Sequence, residues 1–208
     1  MSRRKNFKKR PQKDTLLLVC GGNTEKWYFE NYNKTFVKTK IICKCKNSKT
    51  SPMKVVDFAI HQKNLIGDTI LKTYAIFDKD DFEDFDSAIE KARKNDITPI
   101  FSNQSFELWL LQFFEITSNP LDRRKYENKL NRYFKKMYKD KPIVYAKKKD
   151  TIHKIFEMCN CDVDKAINNC KINFQKKNKM HKECNKKFSE LESISNVFEL
   201  IEFLEKLS

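Results

Sequence analysis

Residues 15–25 read TLLLVCGGNTE, and this stretch decides the fold. Its first six residues form a continuous apolar run, which is typical of a central strand buried on both faces. The run ends at Gly21-Gly22, after which an amphipathic helix begins. A strand, a glycine turn and a helix start leave backbone N–H groups pointing at one place, and such a place suits an anion. The residues predicted to present these donors to a phosphate are Gly22, Asn23 and Thr24.

Strand and helix patterns alternate from this point to about residue 115. Short connections between them favour a parallel, doubly wound sheet with helices on both faces. The predicted fold class is therefore α/β, with a mostly parallel four-stranded sheet. The strands are predicted at 15–20, 41–45, 71–77 and 97–102, and the helices between them at 23–33, 51–65 and 84–95.

The chain changes character beyond Pro120, where charged and lysine-rich helical patterns replace the strands. Helices are predicted at 122–139, 150–169 and 196–207, the last one amphipathic enough to serve either the core or a homodimer. The predicted organisation has three parts. They are a basic disordered arm at 1–13, an α/β core at 14–118, and a basic helical part at 119–208 that packs on the core.

The charge of the chain favours a polyanionic partner. Its 208 residues include 43 Lys+Arg and 28 Asp+Glu, for a net charge of +15 at pH 7. Nucleic acid is the first candidate and an anionic membrane surface the second. No apolar run approaches a membrane span and no apolar signal core is visible, so we expect a cytoplasmic protein without a membrane partner. The predicted nucleic-acid contacts are Arg3, Arg4, Lys147, Lys148, Lys149, Lys176 and Lys177, with tyrosines and phenylalanines such as Tyr145 interleaved for base stacking.

Three carboxylates follow the third predicted strand, at Asp78, Asp80 and Asp81. One interpretation is a solvated turn, because Asp clusters are common in turns. The other is a metal site, because ligands of open α/β sheets sit at the carboxyl ends of strands and aspartate oxygens suit Mg²⁺ or Mn²⁺. Proximity to the Gly21-Gly22 turn favours the second interpretation. The predicted metal ligands are Asp78, Asp80 and Asp81.

Glu107 directly follows the fourth predicted strand. It could be a helix N-terminal residue favoured by the macrodipole, or a further carboxylate in the same crevice. The sequence leaves both open. The seven cysteines point to reduced thiols, since no pair has the spacing usual in zinc sites. A composite zinc site from Cys159, Cys161, Cys170, His181 or Cys184 is the alternative.

Three motifs in this order resemble the RloB-like family. They are LLVCGGNTE at 17–25 followed by Tyr28-Phe29, FDKDDF at 77–82, and SNQSFELWLL at 102–111. The resemblance implies a Toprim-like fold, a bacterial phage-resistance or restriction-associated locus, and an AAA-type ATPase encoded nearby. It also implies that Asp78 and Asp80 form the magnesium-binding DxD pair of Toprim enzymes. Glu107 corresponds loosely to a further acidic residue of related nucleases.

One position departs from the family pattern. Members usually read Cys-Glu-Gly at the end of the first strand, whereas this chain reads Cys20-Gly21-Gly22. The position of the expected catalytic glutamate therefore carries no carboxylate. Glu25, which matches the second glutamate of the motif, lies about one helical turn further on and could orient the site or substitute in part.

These observations support two main hypotheses. The first is a Mg²⁺-dependent, Toprim-type nuclease-like protein that acts on nucleic-acid phosphodiesters in anti-phage defence, weakened by Gly21. Its predicted catalytic residues are Asp78, Asp80, Glu107 and Glu25. The second is a catalytically silent module of the same fold that binds nucleic acid or a nucleotide and works with an ATPase. A DxD glycosyltransferase fits the metal but fits the charge poorly.

Overall fold

The computed structural model describes residues 15–46, 50–117, 121–139, 143–158 and 162–208. The predicted basic arm, with Arg3 and Arg4, lies outside the described residues. So do Cys159 and Cys161 of the zinc alternative.

The core is a four-stranded sheet in which all three strand pairings are parallel. The order is β2-β1-β3-β4, so the first strand lies inside the sheet and all six of its residues are buried. The structure confirms the predicted α/β class and agrees with a Toprim-like doubly wound arrangement. The strands are β1 (Thr15–Cys20), β2 (Ile41–Cys45), β3 (Ile70–Asp78) and β4 (Thr98–Ser102).

Eight α-helices belong to the described part of the chain. The predicted helix at 150–169 is in fact two helices, because Asp162 caps a new one by accepting a hydrogen bond from the Lys165 N–H at 2.9 Å. The helices are α1 (Asn23–Tyr32), α2 (Pro52–Ile66), α3 (Phe85–Lys94), α4 (Glu107–Gln112), α5 (Arg123–Met137), α6 (Lys149–Met158), α7 (Val163–Cys184) and α8 (Val197–Glu205). None in the described part is long and apolar enough to cross a bilayer.

Alternate residues of the strands feed two hydrophobic clusters, one on each face of the sheet. On one face, Leu18 and Ile76 pack with an aromatic group from α1, α4 and α6 that includes Tyr28 and Trp109. On the other face, residues such as Phe77 pack against α2 and α3. Burying each such large apolar side chain contributes roughly 1.5–3 kcal/mol, so both helical layers hold the sheet in place.

The helices α2 and α3 are joined at their N-terminal ends by Asp84. Ser51 occupies the N-cap position of α2, but its side chain makes no capping hydrogen bond. Instead, the Met53 N–H donates to Asp84 Oδ2 at 3.2 Å. Asp84 sits at the N-cap position of α3. The Asp84 carboxylate therefore satisfies an N–H donor in the first turn of α2. It thereby fixes the position of the connection between β3 and α3.

The outer edge of β4 is covered by residues just before α8. Ser195 forms an antiparallel bridge with Ser102. The Asn103 N–H donates to Ile194 O at 2.8 Å, and the Asn196 N–H donates to Phe101 O at 3.1 Å. A paired edge leaves fewer open backbone groups for association with other chains.

Candidate active site at the carboxyl edge of the sheet

The carboxyl ends of β1 and β3 open into one cavity of about 650 Å³. Gly21 and Gly22 line it from β1, and the first turn of α1 follows them. Lys147 is the only cationic side chain among the described residues that line this cavity. Five carboxylates share the cavity, namely Glu25, Asp78, Asp80, Asp81 and Glu107. The structure thus brings together every carboxylate that the sequence nominated.

Two strand-end turns are hydrogen-bonded to each other beside this cavity. Asp78 Oδ2 accepts from the Phe106 N–H at 2.9 Å, and the Asp80 N–H donates to Gln104 O at 3.2 Å. Asp80 and Gln104 both have positive φ, 44° and 94°. Such backbone costs free energy, less for Asp than for Gln, and persists where the surroundings hold it. The bonds between the turns provide that support.

Asp78 ends β3, half-buried, and its carboxyl is surrounded by like charge. Burial raises its pKa well above the usual range, and the nearby carboxylates of Glu25, Asp80 and Glu107 raise it further. The hydrogen bond from Phe106 opposes this shift but does not cancel it. Asp78 therefore holds its proton more tightly than an exposed aspartate does.

Glu25 lies in the first turn of α1 and is 5% exposed. Burial raises the pKa of Glu25 to about 7, and the carboxylates of Glu107 and Asp80 add to the increase. A hydrogen bond from its own backbone and the charge of Lys147 oppose the increase. Its side chain folds back over the glycine turn, since a Cβ on Gly22 would lie 2.8 Å from Glu25 Oε2. A pKa near the working pH is what general acid–base chemistry requires.

Glu107, the first residue of α4, is 1% exposed but ionised. The Tyr145 hydroxyl donates to its Oε1 at 2.8 Å, and the Lys147 ammonium lies 2.9 Å from the same oxygen. Burial alone would raise the pKa of Glu107, but Lys147 and these hydrogen bonds outweigh burial and hold it below the ordinary value. Glu107 is thus both a helix N-terminal residue and part of the cavity wall. Both interpretations that the sequence left open, a helix N-terminal residue and a further carboxylate of the crevice, therefore apply to it.

The donor set fits Mg²⁺ or Mn²⁺ in its chemistry, because it consists of carboxylate oxygens that repel one another. In the described part of the chain, no three His, Cys, Asp or Glu side chains stand together as a ready ligand set. Mg²⁺ does not require one, since it commonly binds one or two carboxylates and keeps several waters. Asp78 and Asp80 would be those two, and bound dication charge would offset the repulsion that raises the pKa of Asp78.

The predicted phosphate-binding residues Gly22, Asn23 and Thr24 all line the cavity. The first N–H groups of α1 have no acceptor within the helix, as at any helix start. Gly21 differs, because its N–H donates to Ile76 O at 2.8 Å and belongs to the sheet. A Cβ on Gly21 would meet Val55, Ile76 and Phe77 at 3.4–3.7 Å, which is ordinary contact. The position could therefore hold a side chain.

The predicted lysines divide by position. Lys147 lines the cavity, whereas Lys148 and Lys149 are exposed beside it at the start of α6. Lys176 and Lys177 lie on α7 and do not line the cavity. Asp81 is exposed at the cavity margin.

The thiols described by the structure are free and form no metal-binding group. Cys170 is buried and donates to Ser195 O at 3.3 Å, and Cys184 is exposed. His181 stacks on Phe188. These contacts account for the residues of the zinc alternative that lie inside the described ranges.

Sequence reasoning missed the partner of Glu107. Tyr145 was grouped with side chains for base stacking, but it is 5% exposed and hydrogen-bonded to a carboxylate 38 residues away. It also missed the aromatic walls of the cavity, Trp27 and Phe82. The aromatic character of both was visible in the sequence, but their shared position was not.

Comparison with known proteins agrees with this arrangement at the level of the family. The family of RloB-like proteins matches the chain over residues 16–204, which is nearly its whole length. Searches among curated proteins and among solved structures found no match.

Proposed function

The chain belongs to the RloB-like protein family, and we propose that it is a metal-dependent, nuclease-like protein that acts on nucleic-acid phosphodiesters in defence against phage. The observation that carries this proposal is the meeting of five carboxylates, one lysine and a helix N-terminus in one cavity of about 650 Å³. The net charge of +15 of the whole chain supports a polyanionic substrate.

Asp78 and Asp80 would hold Mg²⁺ or Mn²⁺, with the exposed Asp81 as an outer carboxylate on the same turn. When bound, the ion supplies charge stabilisation at the attacking or leaving oxygen of the phosphodiester. The residues of the chain bind and orient the polyanion. Backbone donors of Gly22, Asn23 and Thr24 would bind a phosphate, and the exposed Lys148 and Lys149, which follow Lys147 in the chain, would contact the polyanion.

Glu25 is the carboxylate available for proton transfer in this proposal. It is buried, its pKa of about 7 is near neutrality, and its Oε2 lies above Gly22. It would accept a proton at Oε2 from the attacking water. The family pattern places a glutamate at position 21, which is glycine here. Losing a general acid or base costs about 10²–10⁴-fold in rate, so we expect weak cleavage by the natural chain.

The second candidate is a catalytically silent module that binds nucleic acid or a nucleotide and works with an AAA-type ATPase. Gly21 is the observation that favours it, because the expected catalytic carboxylate is missing. The remaining carboxylates would then hold a cation and a phosphate without turnover.

A nuclease assay with Mg²⁺ or Mn²⁺ separates the two candidates. It compares the natural chain with Gly21→Glu and Asp78→Ala on single-stranded and duplex DNA and RNA. Asp68→Ala is a matched control, because Asp68 is an exposed aspartate of the short turn Gly67–Thr69, which precedes β3. We expect weak cleavage by the natural chain and by Asp68→Ala, none by Asp78→Ala, and faster cleavage by Gly21→Glu.

The outcomes are distinct. Full cleavage by Asp78→Ala would rule out the proposed enzyme. Cleavage by Gly21→Glu alone would favour the silent module. Failure of every variant to cleave or bind nucleic acid would remove both candidates.

A further inference from the structure

The described residues 143–148, which precede α6, are tied to the edge of the sheet through Glu107. The Tyr145 hydroxyl and the Lys147 ammonium both contact Glu107 Oε1, at 2.8 and 2.9 Å. The Tyr145 N–H also donates to Asn131 Oδ1 on α5 at 2.6 Å. Tyr145 is therefore held to α5 through its backbone, and Tyr145 and Lys147 are held to the first residue of α4 through their side chains.

The ammonium of Lys147 opposes metal binding at Glu107. The Oε1 atom of Glu107 already receives two donors, whereas its Oε2 is buried without a hydrogen-bond partner in the described structure. A dication that joined Glu107 would meet the like charge of Lys147 within a few ångströms, which is unfavourable. Asp78, by contrast, accepts a hydrogen bond from the Phe106 N–H at 2.9 Å. The five carboxylates thus have different partners and different uses.

Lys147 faces the ligand space. Its side chain is 37% exposed and forms part of the cavity wall. A second carboxylate, Glu127 on α5, lies 3.5 Å from the ammonium on the side of the helical part. Without Glu107, attraction to Glu127 would draw the ammonium out of the cavity. The first turn of α1 lines the same cavity. An ammonium held at a fixed place in such a cavity is suited to bind a phosphate oxygen.

We infer that Lys147 is the phosphate-contacting cation of the cavity, and that Glu107 and Tyr145 are positioning residues that hold its ammonium there, with Glu107 contributing no metal ligand. The inference rests on the proposed function, because it requires a phosphate-bearing ligand to enter the cavity.

The first test is the salt dependence of binding, measured by fluorescence anisotropy with labelled single-stranded and duplex DNA oligonucleotides in Ca²⁺. Loss of one phosphate contact lowers the slope of log K against log salt by about 0.7–0.9. We expect that drop in Lys147→Gln and its rescue in Lys147→Arg. Lys94→Gln, an exposed α3 lysine of equal charge, is the control and keeps the natural slope.

Glu107→Gln gives the sharper test of positioning. This variant makes the protein more positive, so net charge alone would strengthen binding to DNA. If the loss of Glu107 releases Lys147 from the cavity, the salt slope of Glu107→Gln should instead be lowered as in Lys147→Gln. The double variant Glu107→Gln/Lys147→Gln should then show no further drop. Tyr145→Phe removes only the hydroxyl and is expected to change the slope in the same direction by less.

Mn²⁺ binding, followed by electron paramagnetic resonance, tests whether Glu107 is a metal ligand. We expect Glu107→Gln to keep the Mn²⁺ affinity of the natural chain and Asp78→Asn to lose it. Thermal unfolding checks that each variant is folded. Because Lys147 is partly exposed, its variants should fold and test the phosphate contact even if Glu107→Gln is unstable.

An unchanged salt slope in Lys147→Gln would overturn the inference and leave the proposed function standing. So would a loss of Mn²⁺ affinity in Glu107→Gln equal to that in Asp78→Asn. If the natural chain binds neither these DNA oligonucleotides nor their RNA counterparts, the proposed function fails and the inference fails with it. Binding without cleavage, together with the expected slopes, would support the inference and favour the silent module.

Discussion

Single carboxylates of the cavity differ in charge because their nearest neighbours differ. Glu107 has an ammonium and a hydroxyl at its Oε1 and stays ionised. The pKa values of Glu25 and Asp78 are raised by burial and by neighbouring carboxylates, Glu107 and Asp80 among them. A cavity that holds protonated and ionised carboxylates side by side can assign acid–base work and cation binding to different residues.

The raised pKa of Glu25 predicts how the stability of the metal-free protein depends on pH. Between about pH 4.5 and 7 the unfolded chain has released the Glu25 proton while the folded protein keeps it. The free energy of unfolding therefore falls as pH rises through this window and levels off above it, by up to about 3 kcal/mol. Asp78 contributes in the same direction.

Denaturant unfolding in EDTA across this pH range would measure the effect. Glu25→Gln should flatten the profile in part and stabilise the protein at the alkaline end, and Glu83→Gln, at an exposed glutamate, should leave the profile unchanged. If Glu25→Gln had the same profile as the natural chain, the raised pKa of Glu25 would be wrong.

The two glycines of the β1–α1 turn should respond differently to alanine. At Gly21 a Cβ meets its neighbours at 3.4–3.7 Å, so Gly21→Ala should be neutral or stabilise by about 0.4–1 kcal/mol. At Gly22 a Cβ would lie 2.8 Å from Glu25 Oε2, so the carboxylate must move. The same unfolding measurements should show a weaker pH dependence in Gly22→Ala alone. Equal profiles for the two variants would contradict this.

At the level of elements, the strands and the neighbouring positions of β1 and β3 were predictable, whereas one long-range side-chain contact and one helix boundary were not. The bounds of β1 and β2 match the predicted ranges, and β3 is longer by one residue at each end. Apolar runs and glycine turns are local signals, so they located the strand ends and hence Asp78 and Gly22. The pairing of Tyr145 with Glu107 spans 38 residues and leaves no periodic trace. The break between α6 and α7 depends on one capping aspartate within a helical pattern.

The edge of β4 depends on Asn196, which replaces a missing neighbouring strand. Its Oδ1 accepts from the Phe101 N–H at 2.7 Å, and its Nδ2 donates to Pro99 O at 3.1 Å. Both contacts are buried. Asn196 thereby links β4 to the start of α8.

Asn196→Ala should lower the free energy of unfolding by about 2 kcal/mol or more, because it leaves a buried donor and a buried acceptor unsatisfied. Asn64→Ala, at an exposed position of α2, is the control and should be near neutral. Urea unfolding measures both. A near-neutral Asn196→Ala would mean that water satisfies the edge of β4 equally well.

At the scale of the whole molecule, acidic and basic surfaces divide the work. The chain carries a net charge of +15, yet its main cavity is walled by carboxylates. In the proposed function, the excess positive charge would attract a polyanion over a distance of about a Debye length. The acidic cavity would then need a cation before a phosphate could approach. Attraction and chemistry would be separate steps, and salt should weaken the first far more than the second.

The helical part also completes the hydrophobic core, which predicts that the α/β part cannot fold alone. Tyr28 on α1 packs against Phe156 on α6, with ring centroids 5.1 Å apart. Leu200 and Ile201 on α8 belong to the same buried cluster as Trp109. A fragment of residues 14–118 would expose this face and the edge of β4.

We therefore expect this fragment to lack a cooperative unfolding transition and to bind a hydrophobic dye, because it cannot bury enough apolar surface to offset its conformational entropy. A chain of residues 14–208, which lacks only the basic arm, is the matched control and should unfold cooperatively. Calorimetry and dye fluorescence measure the two properties. A cooperative transition in the shorter fragment would show that the α/β part is an independent folding unit, and that the helical part serves the cavity through Tyr145 and Lys147 and is not required for the fold.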